Sequence, residues 1–384
     1  MARTDSFVRF NNTPGTGRVL GSTQHSQQQG ESVNNRNSST LKIGVVGYGY
    51  WGPNVVRNFY NVPNASVVAV ADISPKSLER VRGVYPSMEV TTNADDILTN
   101  PNIDAVAIVT PISHHYPLAK KALENGKHIF VEKPFTASVA EAEDLIELAE
   151  RKNLKIMVDH TFLFTGAVRK IRELIDNGTL GKLYYYDSTR VNLGIFQHDS
   201  NVVWDLAPHD LSIIDYLIPD PPSAVVATGE KHVNGEEDMA FITMYFPGKV
   251  IAHLNINWLS PVKVRTTLIG GEKRMLVWND LEADEKIRVY DKGIERSGGN
   301  APYDVRVIYR TGDLWVPRVE QVEALSLEAR YFVDCIHKNQ APFNDGISGL
   351  RVVQMIEAIN QSMAQRGEMV YCDSPKPASS KVTA

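Results

Sequence analysis

The stretch Leu41-Lys42-Ile43-Gly44-Val45-Val46-Gly47-Tyr48-Gly49-Tyr50-Trp51-Gly52 decides the fold. A short apolar run, Leu41 to Val46, stops at glycines, and a helix-length segment, Tyr50 to Tyr60, follows at once. A second apolar run, Ser66 to Ala71, ends at Asp72. In G-x-G-x-x-G between a strand and a helix, the first glycine permits a tight turn and the second lets backbone approach a pyrophosphate. The third lets helix and strand pack closely. Unsatisfied N–H groups at the helix N-terminus then face the phosphates. Asp72, at the end of the second strand, is placed to accept bonds from ribose hydroxyls, which disfavours a 2′-phosphate. NAD is therefore expected over NADP, although Lys76 and Arg80 keep NADP within reach. The competing reading is a plain βα turn with Asp72 capping a helix.

The alternation continues outward from that motif. Ala105 to Val109 is followed by a helix from about His115 to Asn125. Then come His128 to Val131, a helix from about Ser138 to Lys152, and Ile156 to Val158. Near-continuous apolar strands alternating with helices predict a doubly wound parallel sheet, an α/β Rossmann domain over residues 41–162. Beyond about Phe164 the segments lengthen and alternate with period two: Leu183 to Val191, Ala224 to Gly229, Met239 to Phe246, Val250 to Trp258, Lys263 to Ile269 and Arg274 to Val277. With helices expected at about Leu206 to Leu217, Val322 to Lys338 and Gly349 to Gln365, residues 163–372 read as an α+β domain with a large, open-faced, mostly antiparallel sheet. An apolar sheet face would need covering, so a homodimer or homotetramer is expected. Tyr184-Tyr185-Tyr186 reads as part of a strand rather than as a platform for stacking bases.

Composition narrows the partners. A net charge of −5 leaves no basic excess to neutralise a phosphate backbone, so nucleic acid is not an expected partner. Only Cys335 and Cys372 occur, which suits a reducing cytoplasm and excludes a disulfide framework. No apolar run approaches the roughly 20 residues that span a bilayer, so no membrane is expected. Residues 1–40, rich in Ser, Asn, Gln, Thr and Gly, read as a disordered tail without a hydrophobic signal core, and residues 373–384 as a flexible end.

Two further motifs lie at carboxyl ends of parallel strands, the edge where doubly wound sheets bind ligands. They are Thr110-Pro111 and Glu132-Lys133-Pro134, and Lys133 would project toward whatever reacts with the cofactor; the bland alternative is a solvated loop charge. In Trp204-Asp205-Leu206-Ala207-Pro208-His209-Asp210, Asp205 and His209 share a face if a helix begins at Asp205. Equally, Asp205 is a simple N-cap, Pro208 sits in the first turn and His209 is a core histidine. A metal-dependent lyase using His198, Asp199, Asp205 and His209 matches no standard zinc spacing, so no metal is expected.

Together GYGYWG, TPISHH, EKP and D-x-x-x-H resemble the Gfo/Idh/MocA family of nicotinamide-dependent oxidoreductases over roughly residues 41–370. The resemblance implies that Gly47, Tyr48, Gly49, Tyr50, Trp51, Gly52, Asp72, Thr110, Pro111, His115, Glu132 and Lys133 line the cofactor. It implies catalytic roles for Lys133, Asp205 and His209. The segments from Arg190 to Gly194 and Asn201 to Asp210 most resemble UDP-N-acetylglucosamine, or its uronic acid, 3-dehydrogenases. A small-molecule sugar or nucleotide-sugar substrate follows, met by Lys133, Asp205 and His209 and contacted also by Arg190 and Asn192, unless those two are mere surface residues of the sheet. Rivals are a keto-sugar reductase, an inositol or free-sugar dehydrogenase, and a dinucleotide sensor without chemistry. In the dehydrogenase reading His209, with an ordinary pKa near 6.5, is the base. Asp205 orients it or joins the proton relay, and Lys133 donates to the reacting oxygen.

Overall fold

The computed structural model describes residues 40–194, 196, 200–297 and 306–372. The expected tail, the expected flexible end, and His198 and Asp199 fall outside those residues. The chain runs β1 (Leu41–Val46), α1 (Gly52–Tyr60), β2 (Ala65–Ala71), α2 (Pro75–Val84), β3 (Glu89–Thr91), α3 (Asp95–Leu98), β4 (Ala105–Ile108), α4 (His115–Glu124), β5 (His128–Glu132), α5 (Val139–Lys152) and β6 (Ile156–Asp159). The six strands pair in parallel in the order β3-β2-β1-β4-β5-β6. Strand order reverses beside β1, and the crevice outside the carboxyl ends at that point is where such sheets hold ligands. β4 is wholly buried and β1 nearly so, the consequence of helices on both faces.

The second half runs α6 (Gly166–Asp176), β7 (Leu183–Leu193), α7 (Val202–Leu217), β8 (Ala224–Glu230), β9 (Met239–Tyr245), β10 (Ile251–Asn257), β11 (Leu259–Gly271), β12 (Met275–Asn279), β13 (Ile287–Ser297), β14 (Arg306–Trp315), α8 (Ala324–His337), α9 (Gly346–Ala364) and β15 (Val370–Tyr371). Its nine-stranded sheet has the order β14-β13-β12-β11-β7-β10-β9-β8-β15. Every pairing is antiparallel except β7 with β10. The β13–β14 hairpin was not expected, because charged and polar residues interrupt its apolar alternation. Helix α6 was also missed; Thr165 caps it by accepting from Val168 N (3.3 Å).

Helix α7 starts earlier than the motif suggested. Asn201 is its N-cap, its side-chain oxygen accepting from Val203 N (3.1 Å) and Trp204 N (3.3 Å), so Asp205 is not the cap. Pro208 lies inside the helix, where it removes one backbone donor from the turn carrying Asp205.

Two late elements return to the first sheet and fix where α7 stands. Phe332 of α8 packs edge-on against Phe59 of α1 (6.0 Å between ring centres) and Phe130 of β5 (5.8 Å). On α9, Gly349 lies so close to the turn after β5 that a Cβ there would stand 2.8 Å from Val158 and 3.1 Å from Phe135. Two residues later, Arg351 grips Asp215 of α7 with paired bonds of 2.6 and 2.7 Å. Helix α9 is thus clamped between the strand end that carries Lys133 and the helix that carries Asp205 and His209.

Candidate active site

The glycine loop has the geometry its spacing implied. Gly47 has φ +103°, and a Cβ there would lie 2.1 Å from the Val109 carbonyl oxygen. A Cβ on Gly52 would lie 2.6 Å from the Gly47 oxygen, whereas one on Gly49 would meet nothing within 4 Å. The loop is therefore closed toward the sheet and open at Gly49, the shape that admits a pyrophosphate against backbone N–H groups. Asp72 braces it: Oδ2 accepts from Tyr48 N (2.6 Å) and Oδ1 from Ser74 N (2.8 Å). Arg80 lies over the buried Tyr48 ring (5.6 Å) and donates to the Tyr48 carbonyl (3.1 Å). Trp51 donates from Nε1 to Asp159 Oδ2 (3.4 Å), while the Tyr50 side chain stands 93% exposed.

At the neighbouring strand ends, Pro111 is exposed and the Thr110 hydroxyl is buried without a partner among the described residues. His115 is held by both ring nitrogens. It is only 1% exposed, with Nδ1 2.8 Å from the Pro134 carbonyl and Nε2 2.8 Å from the Thr110 carbonyl. Burial holds its imidazole below the usual histidine range, so one nitrogen donates and the other meets a carbonyl at close range. His115 ties the Thr110 turn to the cis Lys133–Pro134 turn.

Lys133 reaches across to α7, donating to the Asp205 carbonyl (2.9 Å) with Asp205 Oδ1 at 3.5 Å. Asp205 Oδ2 accepts from Trp258 Nε1 (3.1 Å). The expected pairing of Asp205 with His209 is not found: the carboxylate is taken by Trp258 and Lys133, and the His209 ring rests on Phe162 (4.9 Å between centres). Burial holds His209 well below the usual histidine range, reinforced by the positive charges of Lys133, Arg190 and Arg265. Both effects favour the neutral imidazole. Burial and the charge of Asp159 push the Glu132 carboxyl up to about 8.

Arg190 also departs from expectation. It is 4% exposed, facing α7 and not the sheet's free surface, with Nε bonded to Asp210 Oδ2 (2.5 Å) and its guanidinium over Phe162 (4.7 Å). Ser188 Oγ holds the other Asp210 oxygen (2.7 Å). One guanidinium nitrogen, Nη1, is buried without a partner among the described residues. Arg265, directly opposite on β11, is more open and pairs with Asp280 (3.4 Å). Asn192 is part-exposed near the end of β7. Trp258, Phe162, Arg265 and Asp159 were not anticipated. Asp159 alone had a signal, ending an apolar strand as Glu132 does. Among the described residues no group of three or more His, Cys, Asp or Glu is placed to hold a metal.

Comparison with known proteins meets this geometry. Residues 41–160 match the model for the oxidoreductase family with an NAD-binding Rossmann fold, and residues 168–277 match the C-terminal domain model of the same family. The chain belongs to the Gfo/Idh/MocA family. It is an NAD-binding oxidoreductase. It is 27% identical over 323 residues to a UDP-N-acetylglucosamine 3-dehydrogenase of Acidithiobacillus ferrooxidans, covering 82% of this chain and 94% of that one. The solved structure of a UDP-N-acetylglucosamine 3-dehydrogenase from that organism superposes with a TM-score of 0.71 at 25% identity, covering 85% of this chain and 98% of the other. A scyllo-inositol 2-dehydrogenase (NAD(+)) of Bacillus subtilis is also 27% identical, over 317 residues covering 79% of this chain and 87% of that one.

The Arg190–Asp210 pair yields a direct prediction. Arg190→Leu strands the Asp210 carboxylate, 1% exposed, without its cation. Urea unfolding should show a loss of about 3–5 kcal/mol; wild-type stability would show that the pair is dispensable.

Proposed function

We propose that this oxidoreductase removes a hydride and a proton from a secondary hydroxyl of a sugar, at C3 of a nucleotide-activated amino sugar such as UDP-N-acetylglucosamine or its uronic acid. The observation that carries the reading is that Lys133, at the carboxyl end of β5, reaches the α7 turn that carries Asp205 and lies close enough to His209 for its charge to act on that imidazole. NAD, when bound, supplies the hydride acceptor. The residues of this chain do the rest. His209, kept neutral by burial and by its cationic neighbours, takes the hydroxyl proton. Lys133, held by Asp205, donates a hydrogen bond to the same oxygen and stabilises the negative charge that grows there. Asp205 positions Lys133 rather than His209, and Trp258 fixes the carboxylate that does so. Arg265, part-exposed beside Phe162, is held only at 3.4 Å by Asp280, and this cationic wall is suited to exchange that partner for a phosphate or a uronate.

The relatives named above support two substrate classes, nucleotide sugars and inositols, and the cationic wall favours the first. Tyr185, Phe241, Tyr245, Ile251 and Leu268 are exposed on neighbouring strands of the second sheet, which supports a homodimer or homotetramer built on that face. Light scattering at the monomer mass would reject that assembly. Among the described residues no helix is long and apolar enough to cross a membrane. The paucity of cysteines supports a cytoplasmic location.

The test is absorbance at the reduced-nicotinamide band after adding UDP-N-acetylglucosamine, its uronic acid, free sugars and inositols, each with NAD or NADP. Reduction of NAD by a UDP-sugar is expected, and reduction by an inositol alone would overturn the substrate assignment. With the active sugar, Lys133→Met and His209→Ala should each lower turnover by about 10² or more; a double variant turning over at the native rate would remove both from the chemistry.

A further inference from the structure

The glycine loop has an anchor that the Rossmann sheet does not supply. Trp51, inside the glycine motif, donates to Asp159 Oδ2, and Thr161 Oγ1 donates to Asp159 Oδ1. Asp159 ends β6 directly beside Glu132 of β5. A third carboxyl, Glu328, arrives from α8, a helix that lies far along the chain and packs back onto the turn after β6. Glu328 is fully buried, and its Oε1 accepts from Asn344 Nδ2 (3.1 Å). The same Asn344 nitrogen donates to the Val158 carbonyl (2.8 Å). Glu328 Oε2 is buried, receives no N–H or O–H from the described residues, and its carboxyl meets Asp159.

Two ionised carboxylates do not rest against each other in a buried space. One proton held between them turns repulsion into a strong O–H···O⁻ bond. The surroundings decide which carboxyl keeps it. Asp159 has two donors, Trp51 and Thr161, and Lys133 lies near enough to favour its charge. Glu328 accepts from Asn344, has only a share in the Thr161 hydroxyl that points at Asp159, and faces the negative charges of Asp159 and Glu132, so burial and those charges push it well above the usual carboxylate range.

We propose that Glu328 is a positioning residue for the cofactor loop, donating its carboxylic O–H to Asp159 and, through Asp159, holding Trp51 and the start of α1. The second domain thereby reaches under the first and sets the loop that receives the pyrophosphate. Glu328 touches neither cofactor nor substrate in this arrangement; its effect passes through Asp159.

The experiment is calorimetric titration of NAD into the full-length protein and its variants. Glu328→Gln preserves both an N–H donor for Asp159 and an oxygen for Asn344, and should bind NAD within about twofold of wild type. Glu328→Leu removes the donor and should bind about tenfold more weakly, a loss of about 1.4 kcal/mol. Trp51→Phe, which deletes the indole N–H, should weaken binding similarly, and the Trp51→Phe/Glu328→Leu double variant should be no weaker than the weaker single. Wild-type affinity in Glu328→Leu, equal weakness in Gln and Leu, or additive losses in the double variant would each overturn the proposal. The glutamine and Trp51→Phe arms decide even if the leucine variant does not fold, since a tenfold loss in the first or none in the second contradicts it.

Discussion

A lysine ammonium brought to the end of a parallel strand and partly enclosed there needs an anion within reach, and Lys133 pairs with one across the molecule, on α7. That single pairing makes the site a joint product of two sheets. The end of β5 in the first sheet delivers Lys133, and α7, packed on the second sheet, delivers Asp205, with Trp258 pinning the carboxylate from the end of β10. Everything that fixes α7 relative to β5 then serves the pair. Asn201 sets where the helix begins, Arg351 ties its far end to α9, and Gly349 lets α9 press against the turn after β5. A side chain at Gly349 would push the two halves of the ion pair apart.

The cations around His209, the proton acceptor of the proposed reaction, are each paired with a carboxylate. Lys133 is matched by Asp205, Arg190 by Asp210 and Arg265 by Asp280. His209 sits among these cations on the face of Phe162, with no carboxylate of its own. Burial and positive neighbours act in the same direction on an imidazole, so neutrality is over-determined. This differs from a histidine polarised by a paired aspartate, in which the carboxylate stabilises the protonated ring. Here the cationic partners would favour release of the proton once the alcohol has been oxidised.

What could be read from the sequence was whatever is local. The glycine loop, Asp72 and the lysine after β5 are fixed by strand, turn and helix start within a few residues, and each stands where its spacing implied. Asp205 and His209 do share the face of one helix, yet their partners come from elsewhere in the chain. Trp258 and Phe162 lie on separate elements, and no spacing links them to that motif. The burial of Arg190 was not legible for a related reason. Its place near a strand end suggested a ligand contact, whereas the burial that makes it a partner of Asp210 depends on α7 lying over that strand. His115 sits beside a cofactor motif in sequence but turns inward, because two loop carbonyls needed tying together. The β13–β14 hairpin carries charges that blur its alternation, and Glu328 reads as an ordinary helix glutamate until α8 is seen to return under β6.

The most direct test of a neutral His209 acting beside a charged Lys133 is the pH dependence of kcat/KM for sugar oxidation, with hydride transfer made limiting by deuterium at the reacting carbon. A base held low by burial and by cations stays unprotonated through neutral pH. The profile should therefore be flat downward from pH 8, with its acid limb well under the ordinary histidine value of about 6.5. An acid limb at or above about 6.5 that vanishes in His209→Ala would show a histidine stabilised in its charged form, and would contradict this account of the site.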